Sequence, residues 1–203
     1  MDYSSKLIED AVNAFATLPG IGKKTALRLT LHLLNKDPGT TTTFVEAIDQ
    51  FRQKIQRCKQ CFNIADDEVC LICKNHARNR SVICVVEGIR DVMAIEDTAH
   101  YNGLYHVLDG VISPIDGVGP EQLNIESLVE RIKKEDIEEV IMAISPTIEG
   151  ETTIYYLTKQ LQGQDVRVTQ IARGVAFGGE LELADEITLG RSIVTRIPYE
   201  TNR

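Results

Sequence analysis

Four of the five cysteines fall as Cys58-Lys-Gln-Cys61 and Cys70-Leu-Ile-Cys73, two Cys-x-x-Cys pairs with eight residues between them. Each pair offers two sulfurs at a fixed bite, and the short intervening segment lets both close on one ion. Zinc suits a cage of four thiolates because it is soft enough for sulfur and indifferent to geometry. Four protein ligands leave no open position, so the expected Zn2+ site is structural. A redox pair or a disulfide framework is the rival reading. Met1 to Asp10 lacks the apolar stretch of a signal peptide, and no apolar run reaches the length of a membrane span. Both points lead to the cytosol, where thiols stay reduced. His76 is a weaker substitute ligand, and Arg57, Lys59 and Lys74 are expected to offset the negative charge of the cage.

A second constellation is Leu18-Pro-Gly-Ile-Gly22 followed by Lys23, Lys24 and Arg28. Proline with two glycines in four residues makes a tight turn between helices. Without a Cβ, Gly20 and Gly22 let a phosphate approach the backbone, and the free N–H groups of the next helix point toward it. Lys24, Arg28 and His32 then recur at i, i+4 and i+8, a basic stripe with Lys23 beside it. This helix-hairpin-helix predicts DNA binding that reads phosphate rather than sequence. The bland alternative is a plain helix–helix turn with a solvated charged face.

A third group is acidic. Glu87 follows the apolar run Ser81-Val-Ile-Cys-Val-Val86, and Glu149-Gly-Glu151 follows Ile144. Carboxylates at strand ends could attract Mg2+ weakly or form a partner-binding surface. No Gly-x-x-x-x-Gly-Lys loop is present, and Gly117-Val-Gly119 opens no helix, so no nucleotide site is expected.

The elements that must carry these groups follow from periodicity. Ile8, Ala11, Val12, Phe15 and Leu18 predict a helix from about Ser5 to Thr17, and Ala26, Leu29 and Leu33 a second from Lys23 to Leu34. Thr43-Phe-Val-Glu46 has the form of a capping box opening a third helix, with Phe44, Ile48, Phe51 and Ile55 on its apolar side. Beyond the cysteines, strands and helices alternate: Ser81–Val86 as a central parallel strand with Cys84 in the core, then Tyr105–Leu108, Glu139–Ile144 and Val166–Ile171. Asp109–Pro120 is long for a turn and reads as a functional or mobile loop. The fold class is therefore a multidomain α+β chain. A helix-hairpin-helix DNA-binding domain spans 1–56 and a zinc knuckle 57–78. An α/β domain with a largely parallel sheet spans 79–175, and a C-terminal segment, a candidate oligomer contact, spans 176–203. Charge divides in the same way. Residues 1–60 hold nine Lys or Arg against six Asp or Glu, a net of +3, leaving thirteen against twenty-four, −11, for residues 61–203. The net charge of −8 conceals a basic N-terminal side.

In this order and length, these motifs resemble the RecR family of recombination mediators. The likeness rests on Leu18-Pro-Gly-Ile-Gly-Lys-Lys-Thr-Ala26, the four cysteines, Val86-Glu87-Gly88, Pro146-Thr-Ile-Glu-Gly-Glu151, Ala172-Arg-Gly174 and Gly179-Glu-Leu181. The α/β half is then similar to a Toprim domain, the fold shared by topoisomerases and primases. The resemblance implies a non-enzymatic, clamp-like homotetramer, cytoplasmic and nucleoid-associated. Such a protein acts in DNA repair with RecO and RecF to load RecA on gapped DNA. It places DNA contacts on Lys23, Lys24 and Arg28 and a partner surface around Glu87, Glu149 and Glu151. Catalytic Toprim enzymes carry Asp-x-Asp where this chain has Glu149-Gly-Glu151. The competing readings are a Mg2+-dependent Toprim-type nuclease and a pure protein-interaction module.

Overall fold

Helix α1 (Lys6–Ala16) and helix α2 (Lys23–Leu34) pack on each other through one apolar side each, with Val12 and Ala26 wholly buried. The chain reverses through a tight turn in which Ile21 donates its amide to the carbonyl of Leu18 at 3.1 Å. Pro19 sits at the second position of that turn and Gly20 at the third, with φ +77°, a type II arrangement that a side chain at residue 20 would oppose. The computed structural model describes residues 3–198. It separates into two compact units, Met1–Ile55 and Gln56–Arg203.

Helix α3 (Pro38–Lys54) starts five residues before the expected Thr43. Asp37 caps it by accepting from the Gly39 amide at 2.9 Å, and Pro38 occupies the first helical position, where its missing N–H costs nothing. Thr43 lies inside the helix and donates to the carbonyl of Gly39. The capping-box pattern therefore misplaces the start: Asp37 and Pro38 provide the signal, and the run of threonines behind them disguises it. No residue of α3 is buried, and Phe44, Val45, Ile48 and Phe51 are exposed.

The second unit opens with a two-stranded ribbon, β1 (Gln56–Arg57) against β2 (Ile64–Ala65), and a short helix α4 (Leu71–Lys74). Strands β3 (Asn79–Val86), β4 (Gly103–Val107), β5 (Glu139–Ala143) and β6 (Arg167–Gln170) then form one all-parallel sheet in the order β4-β3-β5-β6. Helices α5 (Ile89–Asp97), α6 (Ile125–Lys134) and α7 (Ile148–Gln160) fall between successive strands.

Alternation along β3 builds two cores. Ile83 and Val85 join Leu104, Val140 and Met142 with Leu128 and Ile132 of α6 and Leu157 of α7. Cys84 and Val86 join Tyr105, Val107 and Ala143 with Val92 of α5. A strand buried on both faces is why Ser81–Val86 reads as an unbroken apolar run.

The loop after β4 is braced rather than loose. Ser113 and Val118 pair as an isolated antiparallel bridge, and Ser113 Oγ donates to Asp116 at 2.6 Å. The segment beyond β6 holds helix α8 (Glu186–Val194), which buries none of its residues although Ile187, Ile193 and Val194 are apolar and exposed.

Candidate metal centre and nucleic-acid interface

The four cysteines converge. Cys58, Cys61, Cys70 and Cys73 are all buried, and their sulfurs all lie within 4.8 Å of one another. Cys61 Sγ and Cys70 Sγ are 3.6 Å apart, close to the edge of about 3.8 Å of a tetrahedron with Zn–S bonds of about 2.3 Å. This is far too long for a disulfide, and all five cysteines are free thiols. The ribbon β1–β2 presents the first pair, and the start of α4 presents the second. Between them Phe62 turns the backbone at φ +62°, its amide donating to the Cys58 carbonyl at 3.0 Å. Backbone amides aim at sulfur: Cys70 N–H at Cys58 Sγ (3.3 Å) and Cys73 N–H at Cys70 Sγ (3.5 Å). Left to themselves, four crowded sulfurs cannot all ionise. The bond shared with Cys70 holds the Cys61 thiol well above its usual range, and the same bond pulls Cys70 well below it. A dication makes the fully deprotonated state attainable, so the donor set fits Zn2+.

His76 is exposed and outside the cluster. The expected cationic neighbours serve other partners. Lys59 pairs with Glu68 and Lys74 with Asp67, each at 2.6 Å, and Arg57 reaches Asp109 at 2.7 Å and the Phe62 carbonyl at 3.0 Å. Backbone amides, which carry no sequence signal, also soften the cage charge. Cys84 is a core thiol pushed up to about 12 by burial.

On the hairpin, Gly22 caps α2 without a side chain, and the first turn of α2 holds no acid. Its conformation, φ −80°, suits any residue, and a Cβ there would meet nothing within 4 Å. The fold itself does not require this glycine, and the space before it is open. Lys23, Lys24 and Arg28 are exposed. Lys6 pairs with Glu9 and Asp10, whereas among the described residues Lys23, Lys24 and Arg28 pair with no carboxylate. Two lysines in a first turn oppose the helix dipole, so the positive field at this end is unbalanced by the described residues.

The acids are positioned by the carboxyl ends of the strands. Glu87 follows β3, and its side chain accepts from the amide of Ser145 after β5. Its carbonyl accepts from Gly110 at 3.0 Å, so three strand ends are tied together at this residue. Glu149 and Glu151 lie in the first turn of α7, capped by Thr147, where their charge favours the helix. Gly150 between them is obligatory: a Cβ there would stand 2.0 Å from the Ser145 carbonyl oxygen. Glu151 forms an ion pair with Arg173, a partner that no local motif announces. Among the described residues, only the four cysteines bring three or more metal-ligating atoms within 4.8 Å of each other.

Comparison with known families accounts for almost the whole chain. A RecR helix-hairpin-helix model matches residues 8–52, a RecR four-cysteine zinc finger domain model 55–75, a Toprim domain model 81–172 and a RecR C-terminal model 174–197. The recombination protein RecR of Flavobacterium johnsoniae is 56% identical over 200 residues, covering 98% of this chain and 97% of its own. That of Phocaeicola vulgatus is 56% identical over 194 residues (96% and 95% covered), and that of Porphyromonas gingivalis strain W83 is 55% identical over 197 (97% and 95%).

Proposed function

Because the chain belongs to the RecR family of recombination proteins, carrying a helix-hairpin-helix and a four-cysteine zinc finger, we propose that it is a non-enzymatic DNA-holding mediator of repair. In the cytoplasm it would act with RecO and RecF to load RecA on gapped DNA. The observation that carries this is the start of α2, where Lys23, Lys24 and Arg28 stand exposed and without carboxylate partners among the described residues, beside free backbone amides and an open Gly22. Such an end accepts a phosphate from any sequence. One hairpin neutralises only about two or three phosphates, so several copies must share one DNA to hold it at physiological salt.

The exposed apolar sides of α3 and α8 support self-association, with a tetrameric ring as the assembly proposed. Glu87, Glu149 and Glu151 form the surface proposed for the protein partner. Mass measurement in solution, with and without DNA, tests the reading. A higher oligomer that holds two unrelated duplexes equally supports it, and a monomer that binds no DNA at low salt refutes it.

A further inference from the structure

The Toprim likeness would put Mg2+ among Glu87, Glu149 and Glu151, and the arrangement of these residues does not fit such an ion. Mg2+ requires several oxygens at about 2.0–2.1 Å in near-octahedral order. Here the three carboxylates are not gathered, and two are already engaged. Glu87 accepts the amide of Ser145, and Glu151 holds the guanidinium of Arg173.

Arg173 lies just past β6, at the same carboxyl-terminal end of the sheet as Glu87 and Ser145. Its side chain is only 15% exposed, against 45% for that of Glu151. Its Nε is buried with no acceptor in reach among the described residues. An exposed ion pair swings freely and contributes little, whereas an arginine buried to this degree is fixed by its surroundings. A guanidinium never loses its proton at physiological pH, so this charge is permanent. A divalent cation approaching Glu151 would meet it at a few ångströms.

We propose that Arg173 is the resident cation of the acidic edge: its guanidinium, paired with Glu151, closes that edge to divalent ions. Among the described residues no histidine or cysteine joins these acids in a ligand cluster that could outweigh the repulsion. The role belongs to one side chain and is independent of DNA binding at α2, so failure of either reading leaves the other standing.

The test is a titration of the zinc-loaded, full-length protein with Mn2+, following the free ion by electron paramagnetic resonance. The parent should leave the Mn2+ signal undiminished into the millimolar range. Arg173→Gln should bind Mn2+ at least about tenfold more tightly than the parent, because the like charge is gone. Arg173→Lys should exclude the ion as the parent does, and Glu151→Gln added to Arg173→Gln should abolish the new site. If Arg173→Gln loses its cooperative melt, Arg173→Met, which keeps the packed stem, replaces it. A parent that binds Mn2+ stoichiometrically through Glu151 overturns the proposal. So does a folded Arg173 variant with normal zinc content and no gain in Mn2+ binding.

Discussion

The amide of Val107, the last residue of β4, donates to the carbonyl of Cys61 at 2.8 Å. β4 is the outer strand of the sheet, and this bond lets the metal knuckle occupy part of its free edge. The ring of Phe62 meets that of His106 edge-on at 5.4 Å, and Phe62 and Ile72 pack on the core around Cys84 and Val86. The zinc finger is therefore built onto the Toprim sheet.

Loss of zinc should accordingly be felt beyond the cage. Cys70→Ser is expected to lower bound zinc below about half an equivalent by elemental analysis. It should also release the Val107 amide to hydrogen exchange while amides of β5 stay protected. Full zinc content in Cys70→Ser would contradict the four-sulfur site.

Reversing charge at the hairpin should weaken all DNA alike. Lys23→Glu with Arg28→Glu is expected to reduce affinity for two unrelated duplexes by the same factor and to flatten the log–log salt slope by roughly 0.9 for each phosphate no longer neutralised. Zinc content and oligomer mass should not change. A defect confined to one sequence would show that α2 reads bases.

Gly150→Ala should be costly although it adds one carbon. The new Cβ would collide with the backbone oxygen of Ser145, which has no flexible end to move aside. A loss of about 1–3 kcal/mol in denaturant unfolding is expected. Gly22→Ala, with open space and an ordinary φ, should cost less, under about 1 kcal/mol for the poorer N-cap, and weaken DNA binding as well.

His106 should make stability fall in mild acid. It is wholly buried in β4, its Nε2 donates to the carbonyl of Asn124 at 2.7 Å, and its Nδ1 has no partner among the described residues. Burial holds its pKa down to about 4, and the nearby Arg131 opposes protonation further. Between about 6.5 and 4 the unfolded chain binds a proton that the folded chain refuses, so the native state loses up to about 1.4 kcal/mol per pH unit as pH drops. The contribution is complete above about pH 7. His106→Gln should flatten the dependence from about pH 7 to about 5.5, measured on protein whose zinc content is checked at each pH; an unchanged slope would assign the effect to other groups.

The zinc site and the hairpin are legible in the sequence because their chemistry is written in local spacing: two Cys-x-x-Cys pairs, and a Pro-Gly-x-Gly turn leading into lysines. β3 is legible because a strand buried on both faces has one composition. What stays hidden lies in pairings between distant residues. Arg173 and Glu151 sit on different elements, and no periodicity links them. The partners of Lys59 and Lys74 are equally hidden, since a lysine near a cage looks the same whether it faces sulfur or carboxylate. At α3 two start signals compete, and Asp37-Pro38 prevails because a proline fits only a helix's first turn. The apolar stripe Phe44, Ile48, Phe51 is visible as a stripe, but periodicity cannot say whether a face is covered by its own chain.

The order of strands also sets a schedule for synthesis. α1 and α2 are neighbours in sequence, and the cysteines close over a short segment, so both can form as soon as they leave the ribosome. β3 cannot. Its flanking strands are β4 and β5, and Val86 pairs with Ala143, while β6 arrives only at Arg167. Until those strands emerge, the uncharged run from Ser81 to Val86 lacks its neighbours, the state in which a β-rich segment is most prone to join another chain. Asn79 and Arg80 on one side and Glu87 on the other are its immediate polar guards, so replacing Glu87 with an apolar residue would endanger the nascent chain before it disturbed the finished protein.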